Sequence, residues 1–266
     1  MRNKTIALLA AGAYAGVCGY LYATQKHHMY RAPRASLGDD EPRIIVPSTT
    51  DAPPLLGWMD GKDDGGHAIL YFGGVSESVE MRRASFGGAF PDYARYFIPY
   101  RGFGPQSHHY PTLRESNLKS DALRTFDELS RRHRSVTVIG RSLGTGIAIH
   151  VARYRPVEKM ALITPYDSIE RITREKVRFP AASLMLRDRW HSFRDAPHVT
   201  AKTLALTAER DSIISPARWQ SLLRLLPQTA THVAIPDSDH ITIAEHPETL
   251  RMIADFLVGD ARVAAN

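Results

Sequence analysis

Apolar and polar positions follow two spacings along most of this chain. Short apolar runs occur at residues 55–59, 68–72, 96–100, 136–139, 159–164, 203–207 and 232–235. They are rich in β-branched and aromatic residues and end mostly on Gly, Pro or Asp, which predicts strands. Between them lie stretches whose apolar residues recur every three or four positions. Residues 113–132 carry Leu118, Leu123, Phe126 and Leu129 on one helical face, and 143–154, 221–226 and 248–257 read as further helices. Near-continuous apolar strands separated by helices imply an α/β protein with a mostly parallel sheet covered on both faces. Residues 165–201 are too long for a plain connection. Helical spacing at 169–177 is followed there by Arg187-Asp188-Arg189-Trp190. The stretch predicts a small lid insertion over the C-terminal edge of the sheet. Its mixture of apolar and basic residues, with Phe179, Met185 and Trp190 among the apolar ones, suits a face turned to a substrate acyl chain.

The N-terminus breaks this pattern. Residues 5–23 are 19 positions without a charge, preceded by Arg2 and Lys4 and followed by Lys26, Arg31 and Arg34. About 20 apolar residues cross a bilayer as a helix, so a single membrane anchor is expected. Ala13-Tyr14-Ala15 offers the rival reading, a cleaved signal that leaves a secreted or periplasmic protein. The apolar run continues past that site to Ala23, which favours the anchor. Basic residues on both flanks leave the orientation open. Gly12 and Gly16 form a close-packing G-x-x-x-G pair, but Ala/Gly-rich segments produce that spacing readily, so oligomeric state stays open. The expected organisation is a membrane segment and its flank at 1–34, a linker rich in Pro and Asp at 35–54, one domain at 55–258 and a tail at 259–266. Few contacts are expected between segment and domain, so deleting 1–34 should leave an active soluble protein.

Composition narrows the function classes. With 43% hydrophobic and 23% charged residues, the 266-residue chain suits a single large globular domain. One cysteine excludes an internal disulfide and a cysteine-ligated zinc site. The net charge of +6 is scattered rather than gathered on one element, so no nucleic-acid partner is expected. No motif calls for a metal or cofactor.

Chemistry concentrates at Gly140-Arg141-Ser142-Leu143-Gly144. This G-x-S-x-G sequence joins a predicted strand to a predicted helix, a junction that lifts a serine hydroxyl above the sheet edge. It also aims the first helix amides at the same space. A nucleophilic serine needs a base and an orienting carboxylate, which follow in the order acid, histidine on this architecture. Of 12 histidines, His240 is the candidate base, because it follows the last strand by a short loop. Asp211, after the penultimate strand, is the candidate acid, with Glu209 and Asp237 as rivals. An oxyanion hole would take one amide from Leu143 and one from the glycine-rich loop after residue 72, at Val75 or alternatively Gly74.

These segments, together with Phe72-Gly73-Gly74-Val75-Ser76-Glu77, Tyr100-Arg101-Gly102-Phe103-Gly104 and Thr164-Pro165-Tyr166-Asp167-Ser168, resemble the α/β-hydrolase superfamily. The resemblance is closer to bacterial serine hydrolases of the serine aminopeptidase-like and acyl-protein-thioesterase-like kinds that carry an N-terminal membrane segment. It implies an eight-stranded, mostly parallel sheet, a Ser142–Asp211–His240 triad, and an ester, thioester or amide substrate. Relatives commonly carry Asn where Val75 and Ile241 stand. The competing expectation is a catalytically silent α/β-hydrolase-fold protein that serves as a membrane-tethered interaction module. A silent relative has no need to retain a complete Ser/Asp/His set.

Overall fold

The computed structural model describes residues 2–30, 44–50, 52–104, 113–177, 182–227 and 230–263. Its centre is an eight-stranded sheet: β1 (Ile44–Val46), β2 (Leu55–Asp60), β3 (His67–Phe72), β4 (Ala94–Phe97), β5 (Ser135–Arg141), β6 (Lys159–Ile163), β7 (Lys202–Ala208) and β8 (Thr231–Ile235). The spatial order is β1-β2-β4-β3-β5-β6-β7-β8. Only the β1–β2 and β2–β4 pairings are antiparallel. The helices are α1 (Arg2–Met29), α2 (Arg83–Ala89), α3 (Glu115–Ser130), α4 (Leu143–Tyr154), α5 (Ile169–Lys176), α6 (Ser192–Asp195), α7 (Pro216–Leu223) and α8 (Pro247–Val263).

Alternation along the central strands builds two apolar layers. Leu70 and Phe72 of β3 face one way with Val138 and Leu162, against Phe126 of α3 and Ile147 of α4. Ile69 and Tyr71 face the other way with Ile139 and Ile163, against Phe86 of α2 and Ile253 of α8. Side chains i and i+1 of a strand point to opposite faces, so two-sided burial requires the unbroken apolar runs seen in the sequence.

Several elements differ from the sequence expectation. The stretch expected to be linker at 35–54 contributes the edge strand β1, paired with β2 at Ile44↔Gly57 and Val46↔Leu55. Arg124 then holds the following segment through the Pro47 and Pro53 carbonyls, at 2.9 and 2.7 Å. Residues 35–43 and 51 of that stretch lie outside the described residues. The strand expected at 96–100 stops at Phe97, before Pro99. The helix expected to include 221–226 runs from Pro216, a residue pre-set for a first helical turn, and ends at Leu223. The expected tail at 259–266 is helical to Val263.

Candidate active site

The C-terminal ends of β3, β5, β7 and β8 deliver the site, where ligands collect in open α/β sheets. Ser142 stands between β5 and α4 with φ 49° and ψ −116°, a strained conformation for a residue with a Cβ. Its neighbours permit that turn. A Cβ at Gly140 would lie 2.5 Å from the Gly144 carbonyl oxygen, and one at Gly144 would lie 2.1 Å from the Phe72 carbonyl oxygen. The Ser142 N–H donates to the Ile163 carbonyl at 2.9 Å, which fixes the turn to β6.

Three side chains from three loops meet here. Ser142 Oγ lies 2.9 Å from His240 Nε2, and His240 Nδ1 lies 2.9 Å from Asp211 Oδ2. His240 is buried. Burial pushes the Asp211 carboxyl up. The His240 hydrogen bond and charge, with the Ile214 and Ile213 N–H groups, outweigh it and hold the group below its ordinary value. Both of those amides donate to Oδ1 at 2.8 Å. An ionised Asp211 only accepts, so Nδ1 carries a proton, and in the neutral imidazole Nε2 is then free to accept from the serine hydroxyl. The rival acids are engaged elsewhere: Glu209 accepts the Asp237 N–H, and Asp237 pairs with Arg210.

The loop after β3 sits beside Ser142. Gly74 N–H donates to Glu77 Oε2 at 2.6 Å, which removes it as an oxyanion donor and leaves Val75 as the candidate from this loop. Glu77 binds far more than this amide. Its carboxylate accepts from the Tyr71 hydroxyl at 2.7 Å, Arg82 Nε at 2.7 Å and Arg141 Nη1 at 3.0 Å. Arg141 Nη2 reaches on to the His240 carbonyl at 2.9 Å. One buried carboxylate and one buried guanidinium thus tie the β3 loop, the serine turn and the histidine loop together. Burial pushes Glu77 up, but Arg141 and Arg82 more than offset this and its carboxyl is held low. Neither role was foreseen from the sequence, although Arg141 lies inside G-x-S-x-G.

Val75 and Ile241 flank the site from two loops. Both line an apolar cavity of about 180 Å³ that opens on Ser142 and His240. The histidine loop is held by Asp239. Its Oδ1 accepts the Ile241 and Thr242 N–H groups, each at 2.8 Å.

The insertion meets the cavity through its first helix. Its contribution to the cavity is Ile169 and Ile172 of α5, with Tyr166 just before it, and Met185 and Trp190 are absent from the wall. Trp190 is 1% exposed and packed in the core, donating from Nε1 to the Tyr30 hydroxyl at 3.0 Å. Met185 offers its carbonyl to Gln25 Nε2 at 3.2 Å. Residues 178–181, which include Phe179, lie outside the described residues.

The expected separation of N-terminal segment and domain also fails. Gln25 Oε1 accepts the Arg187 N–H at 2.7 Å, and the Arg187 guanidinium lies 4.0 Å from the centroid of the Tyr22 ring. The Tyr30 hydroxyl donates to Asp188 Oδ2 at 2.9 Å, and Tyr30 itself is buried. Met29 reaches the cavity wall.

The sheet order, the strained serine turn and the placement of these loops define the α/β-hydrolase fold. Solved structures agree. An α/β hydrolase from a Medee basin deep-sea metagenome library matches with a TM-score of 0.63 at 17% identity, over 77% of this chain and 94% of that one. A meta-cleavage product hydrolase from Pseudomonas fluorescens matches with a TM-score of 0.59 at 14% identity, over 77% and 95%. In sequence, an uncharacterised protein of Mycobacterium tuberculosis is 25% identical over 254 residues, covering 90% of this chain and 88% of its own. No family model matches the chain.

Proposed function

We propose that this protein is a membrane-anchored serine hydrolase. The observation that carries the reading is the unbroken chain of contacts Ser142–His240–Asp211, 2.9 Å at each link, on a strained strand-to-helix turn. Ser142 Oγ attacks an ester, thioester or amide carbonyl while His240 Nε2 takes its proton. The Leu143 and Val75 N–H groups stabilise the oxyanion, helped by the positive end of α4. The carbonyl re-forms as the bond to the leaving group breaks, and His240 returns the proton to that group. Water then attacks the acyl-enzyme with His240 again as base, and acid and free Ser142 are released. Asp211 holds the imidazole tautomer throughout.

The anchor reading rests on Lys4–Gln25, 22 residues of α1 long and apolar enough to cross a membrane. Ile6, Leu9, Val17 and Tyr20 on it are exposed, as side chains facing lipid would be. A fluorophosphonate probe tests the chemistry: it should label the wild type and leave Ser142→Ala unlabelled. Labelling retained in Ser142→Ala would reject the nucleophile. Retention in the membrane fraction after alkaline extraction, with an intact mass, would support the anchor. Loss of the first 15 residues would mark a cleaved signal.

A further inference from the structure

We infer that the substrate is a fatty-acyl ester drawn from the bilayer leaflet that α1 enters, its chain lying against Met29 at the end of that helix. The inference rests on the serine-hydrolase reading and names the substrate class of that site.

The cavity beside Ser142 is built for hydrocarbon. Met29, Val75, Ile169, Ile172, Ile213 and Ile241 line it, together with Leu143, Tyr166 and Ile214. Its polar side chains are few and committed. Arg141 is held by Glu77 and the His240 carbonyl, the Tyr166 hydroxyl points to the Leu143 carbonyl, and Ser142 and His240 face each other. A charged or peptide-like acyl group would be desolvated there with nothing to pair with, which is costly. At about 180 Å³ the cavity is somewhat larger than the roughly 150 Å³ apolar void that accepts benzene. It therefore has room for a stretch of chain rather than for an acetyl group alone.

Its position supplies the source of that chain. Gln25 ends the apolar span and Met29 lies four residues on, about 6 Å along the same helix. The Gln25, Tyr22 and Tyr30 contacts to the insertion fix the domain to the end of the span. The cavity therefore opens close to where α1 leaves the bilayer. Its rim is apolar and uncovered: Ile241 is 62%, Ile213 43% and Val75 38% exposed. Leu184 of the insertion, which follows α5, is 65% exposed. Water penalises such a rim, whereas a lipid surface accepts it and lets a chain pass inward without crossing water.

The test uses the full chain reconstituted in phosphatidylcholine vesicles, with p-nitrophenyl acetate and octanoate as probes. The wild type should prefer octanoate in kcat/KM by roughly tenfold or more, and Met29→Trp, which fills the cavity, should cut that preference roughly tenfold. Met29→Leu should retain it. Because the readout is a ratio, a variant that merely destabilises the fold lowers both rates and leaves the ratio alone. Dioleoylglycerol, which exchanges slowly between vesicles, should be hydrolysed by protein in the same vesicles and hardly at all by protein in separate ones. A wild-type ratio near one, a ratio unmoved in Met29→Trp, or equal hydrolysis in the two vesicle arrangements would overturn the inference. Fluorophosphonate labelling separates the two failures. A labelled enzyme without chain preference sinks the lipid substrate alone, and an unlabelled wild type sinks the serine-hydrolase reading with it.

Discussion

In the proposed mechanism Asp211 acts through His240, keeping the proton on Nδ1 and stabilising the imidazolium that forms. Asp211→Asn preserves shape but presents an N–H where the imidazole needs an acceptor, so Nε2 takes the proton and cannot accept from Ser142. Stopped-flow or steady-state assays should show kcat down by roughly three to four orders of magnitude with the thermal midpoint nearly unchanged. Asp237→Asn should be close to wild type, because that carboxylate answers Arg210 and not His240. Glu77 acts at one further remove, as a positioning residue. Its replacement by Gln takes the carboxylate away from Arg141 and leaves Arg82 with Glu245 alone, a loss of about 3 kcal/mol for a broken buried pair. The β3 loop and the His240 carbonyl share that anchorage, so kcat should fall while KM for a small ester changes little. The sign of the pH effect follows from the direction of the shift. Glu77 is held below its ordinary 4.5 in the folded protein, so its stabilisation is complete above that value. It is lost as pH falls below 4.5 towards the folded value. Urea midpoints of wild type and Glu77→Gln should differ most near neutrality and converge in acid. Ser142, His240 and Asp211 could be nominated from chain order because each follows a strand that periodicity reveals. Glu77 and Arg141 could not, since their bond joins residues 64 positions apart and depends on how two loops fold.

At the level of elements, what the pattern reveals is what packing enforces. β3, β5, β6 and β7 are buried on both faces, and their unbroken apolar runs announce them. The short edge strand β1 has one buried face and only three residues, Ile44–Val46, among prolines and charges, so its alternation is lost in the surrounding loop. α2 carries Gly87 and Gly88 and a single buried residue, Phe86, and so has almost no helical periodicity to read. Trp190 departs from its expected place in the lid for a related reason. An apolar residue in an insertion is apolar whether it faces substrate or core, and Trp190 found the core, with its N–H satisfied by Tyr30. Trp190→Ala should therefore destabilise by about 3–5 kcal/mol and leave acyl-chain preference unchanged, which thermal melts beside a chain-length series would resolve. The serine turn is the opposite case, legible because its chemistry restricts the residues. Gly144→Ala would drive a Cβ to 2.1 Å from the Phe72 carbonyl oxygen, which is backbone and cannot swing aside. The turn must open or β3 must move, at about 3 kcal/mol or more, with fluorophosphonate labelling lost before the fold is.

Among the described residues the N-terminal helix is coupled to the α/β domain through Tyr22, Gln25 and Tyr30, and this reverses an expectation drawn from sequence. The apolar run ending at Ala23 and the domain beginning near Leu55 suggested two independent parts. In the structure α1 continues to Met29 and hands Tyr30 to the core beneath the insertion. Removing residues 1–34 takes away the acceptor of the Trp190 indole N–H and the donor to Asp188, both in buried surroundings. An unmet buried hydrogen-bonding group costs about 1–3 kcal/mol. The lost burial of an aromatic side chain adds about 2 kcal/mol more. Burial and the Asp188 charge raise the Tyr30 pKa, so the hydroxyl remains a neutral donor to Asp188. A chain shortened by residues 1–20 keeps Tyr22, Gln25, Met29 and Tyr30 and loses most of the apolar span Lys4–Gln25. In the same detergent it should melt close to the full protein. The chain lacking residues 1–34 should melt roughly 5–15 °C lower, given about 2–4 °C per kcal/mol for a domain of this size. Its octanoate preference should weaken with the loss of Met29 even at temperatures where it is folded. Equal melting points for the two truncations would mean that the α1 patch contributes nothing to the domain, and that anchor and enzyme are independent after all.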